Sequence, residues 1–347
     1  MKTTSSENRI EWIDCLKGLA IFAVVLGHMP YTSNTIHLKN IIYSFHMPLF
    51  FLLAGCTASI SMNNSHKPFT FLKKRFFSVF IPYTVWCMIS GVAFATSNEE
   101  VLNYDVSSHL QTFLTGNVNN WFLACLFTLQ ILFFLFHLLV NNTSNALRKV
   151  GSGIILFIII FSLHRLFGRT SASSVCPLDF LTTAYIYFIP FAIGVAITQN
   201  DKLYHFFTKN NFLSLLCVVI LIFSSSLNFF SHNYHKIITG CCVSCILIRL
   251  TIDLHNYSIK YPHLSLFSNY FSYLGKHSLS IYLLSGLFLP SLSFNLHSAT
   301  QALIVMGIES MVICLICILL ERMISTSSIL ALILFGKKIK YFNKHDQ

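Results

Sequence analysis

The chain has 347 residues, of which 54% are hydrophobic and only 10% are charged. Soluble domains usually carry about 25% charged residues, so this composition excludes an ordinary soluble globular protein. The net charge of +11 does not indicate nucleic-acid binding, because the cations flank apolar segments instead of forming one basic face.

Ten apolar segments follow one another along the chain, each near the roughly 20 residues that cross a bilayer as a helix. Because the backbone must be fully hydrogen-bonded in lipid, we predict an all-α fold. The protein is expected to be a polytopic membrane helix bundle, one domain over 1–347 with a basic tail at 322–347. The predicted spans are 14–34, 41–61, 77–96, 120–140, 152–168, 182–198, 212–230, 235–253, 269–291 and 300–321.

The positions of Lys and Arg predict how the bundle is oriented, since both are enriched in cytoplasmic loops. The first segment contains Lys17 and lacks a small-residue cleavage site, so we expect it to remain as the first membrane helix. An N-terminus and a C-terminus in the cytoplasm place 19 of the 23 Lys and Arg residues at or near cytoplasmic ends. The other four are expected outside: Lys39, Arg165, Arg169 and Lys236.

The eleven Cys residues lie mainly inside the apolar segments. We interpret them as small buried hydrophobic residues, not as a disulfide framework. Cys242 with Cys245, and Cys314 with Cys317, have the i,i+3 spacing of metal ligands, but nothing outside the spans supports a site, and no metal is expected.

Lys17 and His28 stand eleven residues apart in the first segment, which is close to three helical turns. They therefore share a helix face, roughly 16 Å apart along the axis. Ionisable residues in membrane spans are functional candidates, so we interpret His28 as a base. Lys17, Lys74 and Arg75 are predicted to bind the phosphates of a cytoplasmic donor. Alternatively, Lys17 only reaches the lipid headgroups, and the basic cluster only sets topology.

His46 and Glu309 are predicted at depths similar to that of His28, in the middle or outer half of the membrane. The predicted catalytic set is therefore His28, His46 and Glu309, with the carboxylate supporting a histidine. In the alternative, His46 satisfies backbone groups freed by Pro48. Glu309 is then a neutral acid bonded to another helix.

Five motifs together resemble the integral-membrane acyltransferase 3 family, most closely its fucose 4-O-acetylase-like branch. They run in family order from Ile10 to about Leu284: IEWIDCLKGLAIFAVVLGH, FHMPLFFLLAG, KKRFFSVFIPY, NNWFLACLF and LGKHSLSIYLL. The resemblance implies transfer of an acyl group, usually acetyl from acetyl-CoA, to a sugar hydroxyl of a bacterial surface glycan or its lipid-linked precursor. It maps the cation of the first motif onto Lys17, the histidine onto His28 and the basic motif onto Arg75.

Two positions depart from the family pattern. Many members have a second Arg three residues after the first, where this chain has Ser78, so Lys73 or Lys74 is expected to substitute. Many also carry a ninth-helix histidine, where this chain has Ser285; His277 is not an obvious replacement.

The competing hypothesis is a transporter or flippase for glycan intermediates, because ten helices with buried His and Glu would also suit transport. The shared face of Lys17 and His28 and the lack of an evident inverted repeat favour the enzyme. A positioned His can take the proton of an attacking hydroxyl, a contribution of roughly 10²–10⁴-fold. Together with the resemblance, these features predict an O-acyltransferase of the bacterial inner membrane.

Overall fold

The structure is a computed structural model, and it describes residues 11–29, 36–65, 67–97, 120–140, 151, 153–159, 161–162, 179–210, 214–221, 232–288 and 299–337. Every regular element in these ranges is a helix, which confirms the all-α prediction. The elements are α1 (Glu11–Gly27), α2 (Ile36–Asn63), α3 (Pro68–Arg75), the π-helix π1 (Phe76–Phe80), α4 (Ile81–Ser97), α5 (Trp121–Val140), α6 (Asp179–Gln199), α7 (Asp201–Lys209), α8 (His232–Lys260), α9 (Pro262–Lys276), α10 (Ser278–Ser285), α11 (Ala299–Ile324) and α12 (Ser328–Phe335).

Four helices in the described ranges are long and apolar enough to cross a bilayer. They are Ile36–Asn63, Trp121–Val140, Ile237–Ser258 and Thr300–Ile324. The helical stretch Ser214–Leu221 adds a fifth if it forms one span with α7, from which it is bent by 67°. The protein is therefore a helical membrane protein. Ten spans and the orientation stay predictions, because 152–168 and 212–230 lie partly outside the described residues.

The first helix ends earlier than predicted. α1 stops at Gly27, and His28 lies in the turn that follows. The sequence supplies the reason, since Pro30 follows and the residue before a proline avoids helical backbone angles. The rest of the predicted span, 30–34, lies outside the described residues.

The predicted span 269–291 is broken at His277, where α9 ends and α10 begins. His277 has φ −106° and ψ 10°, and its N–H donates to the carbonyl of Leu274 at 3.0 Å, in a tighter turn than an α-helix. α9 also starts earlier than predicted, at Pro262, because proline suits the first turn of a helix.

The residues pack into two compact units. The first comprises Met1–Cys56 and Pro190–Glu321, and the second comprises Thr57–Ile189 and Arg322–Gln347. The boundaries fall inside α2, α6 and α11. The single domain over 1–347 stays a prediction.

Glycines allow helix backbones of the first unit to touch. Gly18 of α1 and Gly275 of α9 lie so close that a Cβ on either would collide with the backbone of the other helix. Gly55 of α2 and Gly194 of α6 form the same kind of contact, and Gly240 of α8 packs against the ring of Pro48 in α2. Small residues at such crossings are how membrane helices gain close packing.

In the second unit, α3, π1 and α4 form one continuous helix with a wide turn in its middle. The N–H of Ile81 donates to the carbonyl of Phe76, five residues back. Pro82 explains the wide turn, because its ring would clash with the carbonyl of Ser78 in a regular α-helix.

The short helix α12 packs against this wide turn. The indole N–H of Trp86 donates to the carbonyl of Leu334 at 3.0 Å. Gly336 ends α12 with a left-handed φ of 63° and lies directly against the backbone of Ser78. Glycine suits both demands, since it tolerates positive φ and has no Cβ.

Candidate active site

His28 is held by the last turn of α1. Its Nδ1 lies 2.8 Å from the carbonyl oxygen of Val24. A carbonyl only accepts hydrogen bonds, so Nδ1 carries the hydrogen and the neutral ring has its lone pair on Nε2. His28 is exposed on the protein surface. This is the tautomer and exposure that a general base requires.

His46 has the same anchor in the middle of α2 but is buried. Its Nδ1 lies 2.7 Å from the carbonyl oxygen of Ile42, and only 4% of the residue is exposed. Pro48 has no N–H, so the carbonyl of Ser44, four residues earlier, has no helical donor. Nδ1 of His46 donates to the carbonyl of Ile42 and not to that of Ser44. The hydrogen bond of Nδ1 therefore orients the ring of His46 and does not repair the helix at the proline.

Tyr43 joins the two histidines. Its ring centroid lies 5.9 Å from that of His28 and 5.1 Å from that of His46. The structure thus brings His28 and His46, predicted from sequence to share a cavity, to one place around a half-buried tyrosine. We did not predict Tyr43 from the sequence, although its i,i+3 spacing from His46 puts both on one helix face.

Glu309 lies half-buried on α11 of the same unit. Within the described residues it forms no hydrogen bond or ion pair with His28 or His46. Its role as their supporting carboxylate stays a prediction.

The structure instead forms a histidine–carboxylate pair between His277 and Glu321. The Glu321 side chain is 0% exposed, and its Oε2 accepts a hydrogen bond from Nδ1 of His277 at 2.7 Å. In serine proteases such a carboxylate holds a histidine in one tautomer and orientation. The sequence analysis missed Glu321 because it fell at the cytoplasmic end of the last predicted span, where a charged residue is common.

The predicted donor-binding cations divide between the two units. Lys17, in the first unit, is half-buried on α1 beside the close contact at Gly18. Lys74 and Arg75 belong to the second unit. The Arg75 guanidinium lies 5.1 Å from the Phe71 ring centre and donates to a main-chain oxygen at 3.3 Å. The joint phosphate site of these cations stays a prediction.

Among the described residues, the cysteines and the potential metal ligands do not form a second candidate site. The cysteines there are free thiols, most of them buried. Cys217, Cys242 and Cys245 pack together with apolar side chains. Across the described part of the chain, no group of three or more His, Cys, Asp or Glu side chains is arranged to hold a metal ion.

Comparison with known proteins identifies the family. The profile of an acyltransferase domain, that of the acyltransferase 3 family, matches residues 10–322, which includes both histidines, Tyr43 and the His277–Glu321 pair. No curated protein and no solved structure gives a significant match. A match over most of the chain favours the enzyme over the transporter. The chain belongs to the acyltransferase 3 family and is a membrane acyltransferase.

Proposed function

We propose that the protein transfers an acetyl group from acetyl-CoA to a hydroxyl of a cell-surface glycan or its precursor. The proposal places it in the fucose 4-O-acetylase-like branch and in the inner membrane of a bacterium. The proposed topology has ten membrane spans and both termini in the cytoplasm.

The arrangement of His28 carries the proposal. The Nδ1 hydrogen bond to Val24 leaves Nε2 as the basic nitrogen, and the ring is exposed to a second molecule. The reference pKa of histidine, about 6.5, suits proton exchange near neutral pH. Lys17, which lies on α1 eleven residues before His28, would bind the charged end of a long donor while the reactive end lies near His28.

In the proposed reaction, His28 takes a proton from the acceptor hydroxyl and later gives it to the leaving thiolate. Nε2 of His28 takes the proton of the sugar hydroxyl as the oxygen attacks the thioester carbonyl carbon. The tetrahedral intermediate then collapses, the carbon–sulfur bond breaks, and the CoA thiolate leaves with the electron pair. The imidazolium returns the proton to the thiolate, which gives an O-acetyl ester and free CoA and requires no covalent acyl-enzyme.

His46 and Tyr43 complete the acceptor side of the proposed site. The buried His46 fixes its Nδ1 on Ile42, so its ring has one orientation next to Tyr43. The tyrosine offers a flat apolar ring and a hydroxyl, a combination that suits the faces and hydroxyls of a sugar. Glu309 stays in the proposal as a carboxylate that stabilises a protonated histidine.

Surface glycans of cells test the proposal directly. Glycans are compared by mass and NMR spectra from cells that lack the gene, cells that express the protein, and cells that express His28→Ala at matched levels. We expect acetyl esters only with the unsubstituted protein. The matched control is His37→Ala, an exposed histidine on α2 to which no role is assigned. Acetylation by His28→Ala at the normal level would remove this histidine from the mechanism, and unacetylated glycans in every strain would remove the acceptor class.

A further inference from the structure

We propose that Gly336 and Lys337, which follow α12, form a second wall of the donor phosphate site, next to Lys74 and Arg75. This inference rests on the proposed function, because it takes CoA as the donor. Its ligand class is a diphosphate.

Two segments that are distant in sequence meet at Ser78. A Cβ on Gly336 would lie 2.5 Å from the Cα of Ser78, so these backbones are in direct contact. Ser78 follows Lys74 and Arg75 by four and three residues, a spacing at which helix neighbours lie about 5–6 Å apart. The backbone of Lys337, the next residue after Gly336, therefore lies within roughly 13 Å of the backbones of Lys74 and Arg75.

Lys337 is held in position by two hydrogen bonds. Its backbone N–H donates to the carbonyl of Ala331 at 3.1 Å, and its Nζ donates to the hydroxyl of Ser325 at 3.2 Å. The residue is half-buried, whereas Lys67 at the start of α3 is exposed. A topology signal requires only positive charge near the membrane and gives no reason for this placement.

The two segments that meet at Ser78 are positively charged. Residues 68–97 and 322–337 contain five Lys and Arg residues and no Asp or Glu. The hydroxyl oxygen of Ser78 is also buried, and it has no hydrogen-bond partner among the described residues. Phosphate oxygens accept charge-assisted bonds from several cations and from a hydroxyl at once. A nucleotide diphosphate and a phospholipid headgroup share this chemistry, and the donor nucleotide is the occupant we assign.

Titration of CoA into the purified full-length protein tests the inference, with pantetheine, which has no phosphates, as the comparison ligand. We expect Lys337→Gln to weaken CoA binding roughly 10- to 100-fold and to leave pantetheine binding unchanged, because one charge-assisted contact is lost. Lys337→Arg should restore the affinity, and it also shows whether the segment still folds. Lys67→Gln removes the same charge from an exposed site and should bind CoA normally.

The outcomes separate this inference from the proposed function. Equal CoA affinity in the unsubstituted protein and Lys337→Gln overturns the inference and leaves the proposed donor intact. If the unsubstituted protein binds no CoA, the proposed donor fails; inorganic diphosphate then tests the site, and binding that Lys337→Gln abolishes supports it. If Lys337→Gln instead loses a co-purifying anionic phospholipid in native mass spectra, with CoA affinity unchanged, the site holds a headgroup and the donor assignment is overturned.

Discussion

Substituting Gly18 by alanine places a single methyl group in the close contact between α1 and α9. That methyl would lie 2.6 Å from the carbonyl carbon of Phe271 and closer still to its oxygen, whereas ordinary contacts begin at 3.4 Å. α1 and α9 would have to separate by roughly 1–1.5 Å, because packed interiors have no spare volume. Neither partner atom is the end of a flexible side chain, so the helices themselves must move.

Two opposing free-energy contributions decide the outcome. Alanine favours a helix over glycine by roughly 0.5–1 kcal/mol, which would stabilise α1. Overpacking a tight contact costs typically about 1–3 kcal/mol, and here the collision is with backbone. We therefore expect Gly18→Ala to destabilise the protein. Lys17 is the adjacent residue, so the displacement also moves a side chain that is predicted to bind the acyl donor. A misplacement of about 1 Å can lower a reaction rate by roughly 10²-fold.

The assay compares thermal unfolding in detergent and the acyl-transfer rate for two glycine variants. The matched control is Gly307→Ala on α11, where a Cβ meets no described atom within 4 Å. Only the helix-propensity gain applies there, so Gly307→Ala should raise the melting temperature slightly and leave the rate unchanged. Gly275→Ala should behave like Gly18→Ala, and the double variant should lose less than the sum, because both methyls disturb one contact. A Gly18→Ala protein as stable and as active as Gly307→Ala would refute the argument.

Three further substitutions probe the site. Lys17→Gln should raise the KM for acetyl-CoA roughly 10- to 100-fold with little change in kcat, through loss of a charge-assisted contact; an unchanged KM in steady-state kinetics would mean that Lys17 only sets topology. Glu309→Gln should lower kcat by about one to several orders of magnitude, with donor affinity unchanged, if the carboxylate supports His28; near-normal turnover would assign it a structural role. Glu321→Ala should cost roughly 1.5–3 kcal/mol of unfolding free energy, because it removes the carboxylate that accepts the hydrogen bond of His277. Thermal melting of this variant and of the double variant with His277→Ala checks that expectation, and a melting temperature unaffected by Glu321→Ala would contradict it.

Hydrophobic segment lengths were sufficient to predict the helical membrane class, since the bilayer constrains the length and hydrogen bonding of any span. Breaks inside a span depend on tertiary contacts that segment length does not report. The turn at His277 is an example, because its stabilising partner, Glu321, comes from a helix 44 residues later.

His28 and His46 were predictable as candidates, because an ionisable residue in an apolar segment is costly and is therefore a functional candidate. Their ring orientations were not, since these depend on the backbone carbonyls one turn earlier. Depth indicated Glu309 as the carboxylate beside His28 and His46, and this role stays a prediction. The structure adds a separate buried pair, His277 with Glu321, about three turns later on the same helix. Depth alone does not specify which face of a helix meets a histidine.

The wide turn π1 makes the segment from Lys74 to Trp86 sensitive to chain length in a way that substitutions do not reveal. Loss of a single residue from Phe76–Phe80 would remove the extra residue of the wide turn, so that α3 and α4 would join with an α-helical residue count and a kink at Pro82. Everything before the deletion would then rotate by about 100° and shift by about 1.5 Å relative to everything after it. Phe71 of α3 would leave the ring of Phe133 in α5, or Trp86 would leave Leu334, since both contacts cannot hold at once. We therefore expect related chains to exchange residues freely at these positions but to keep their number.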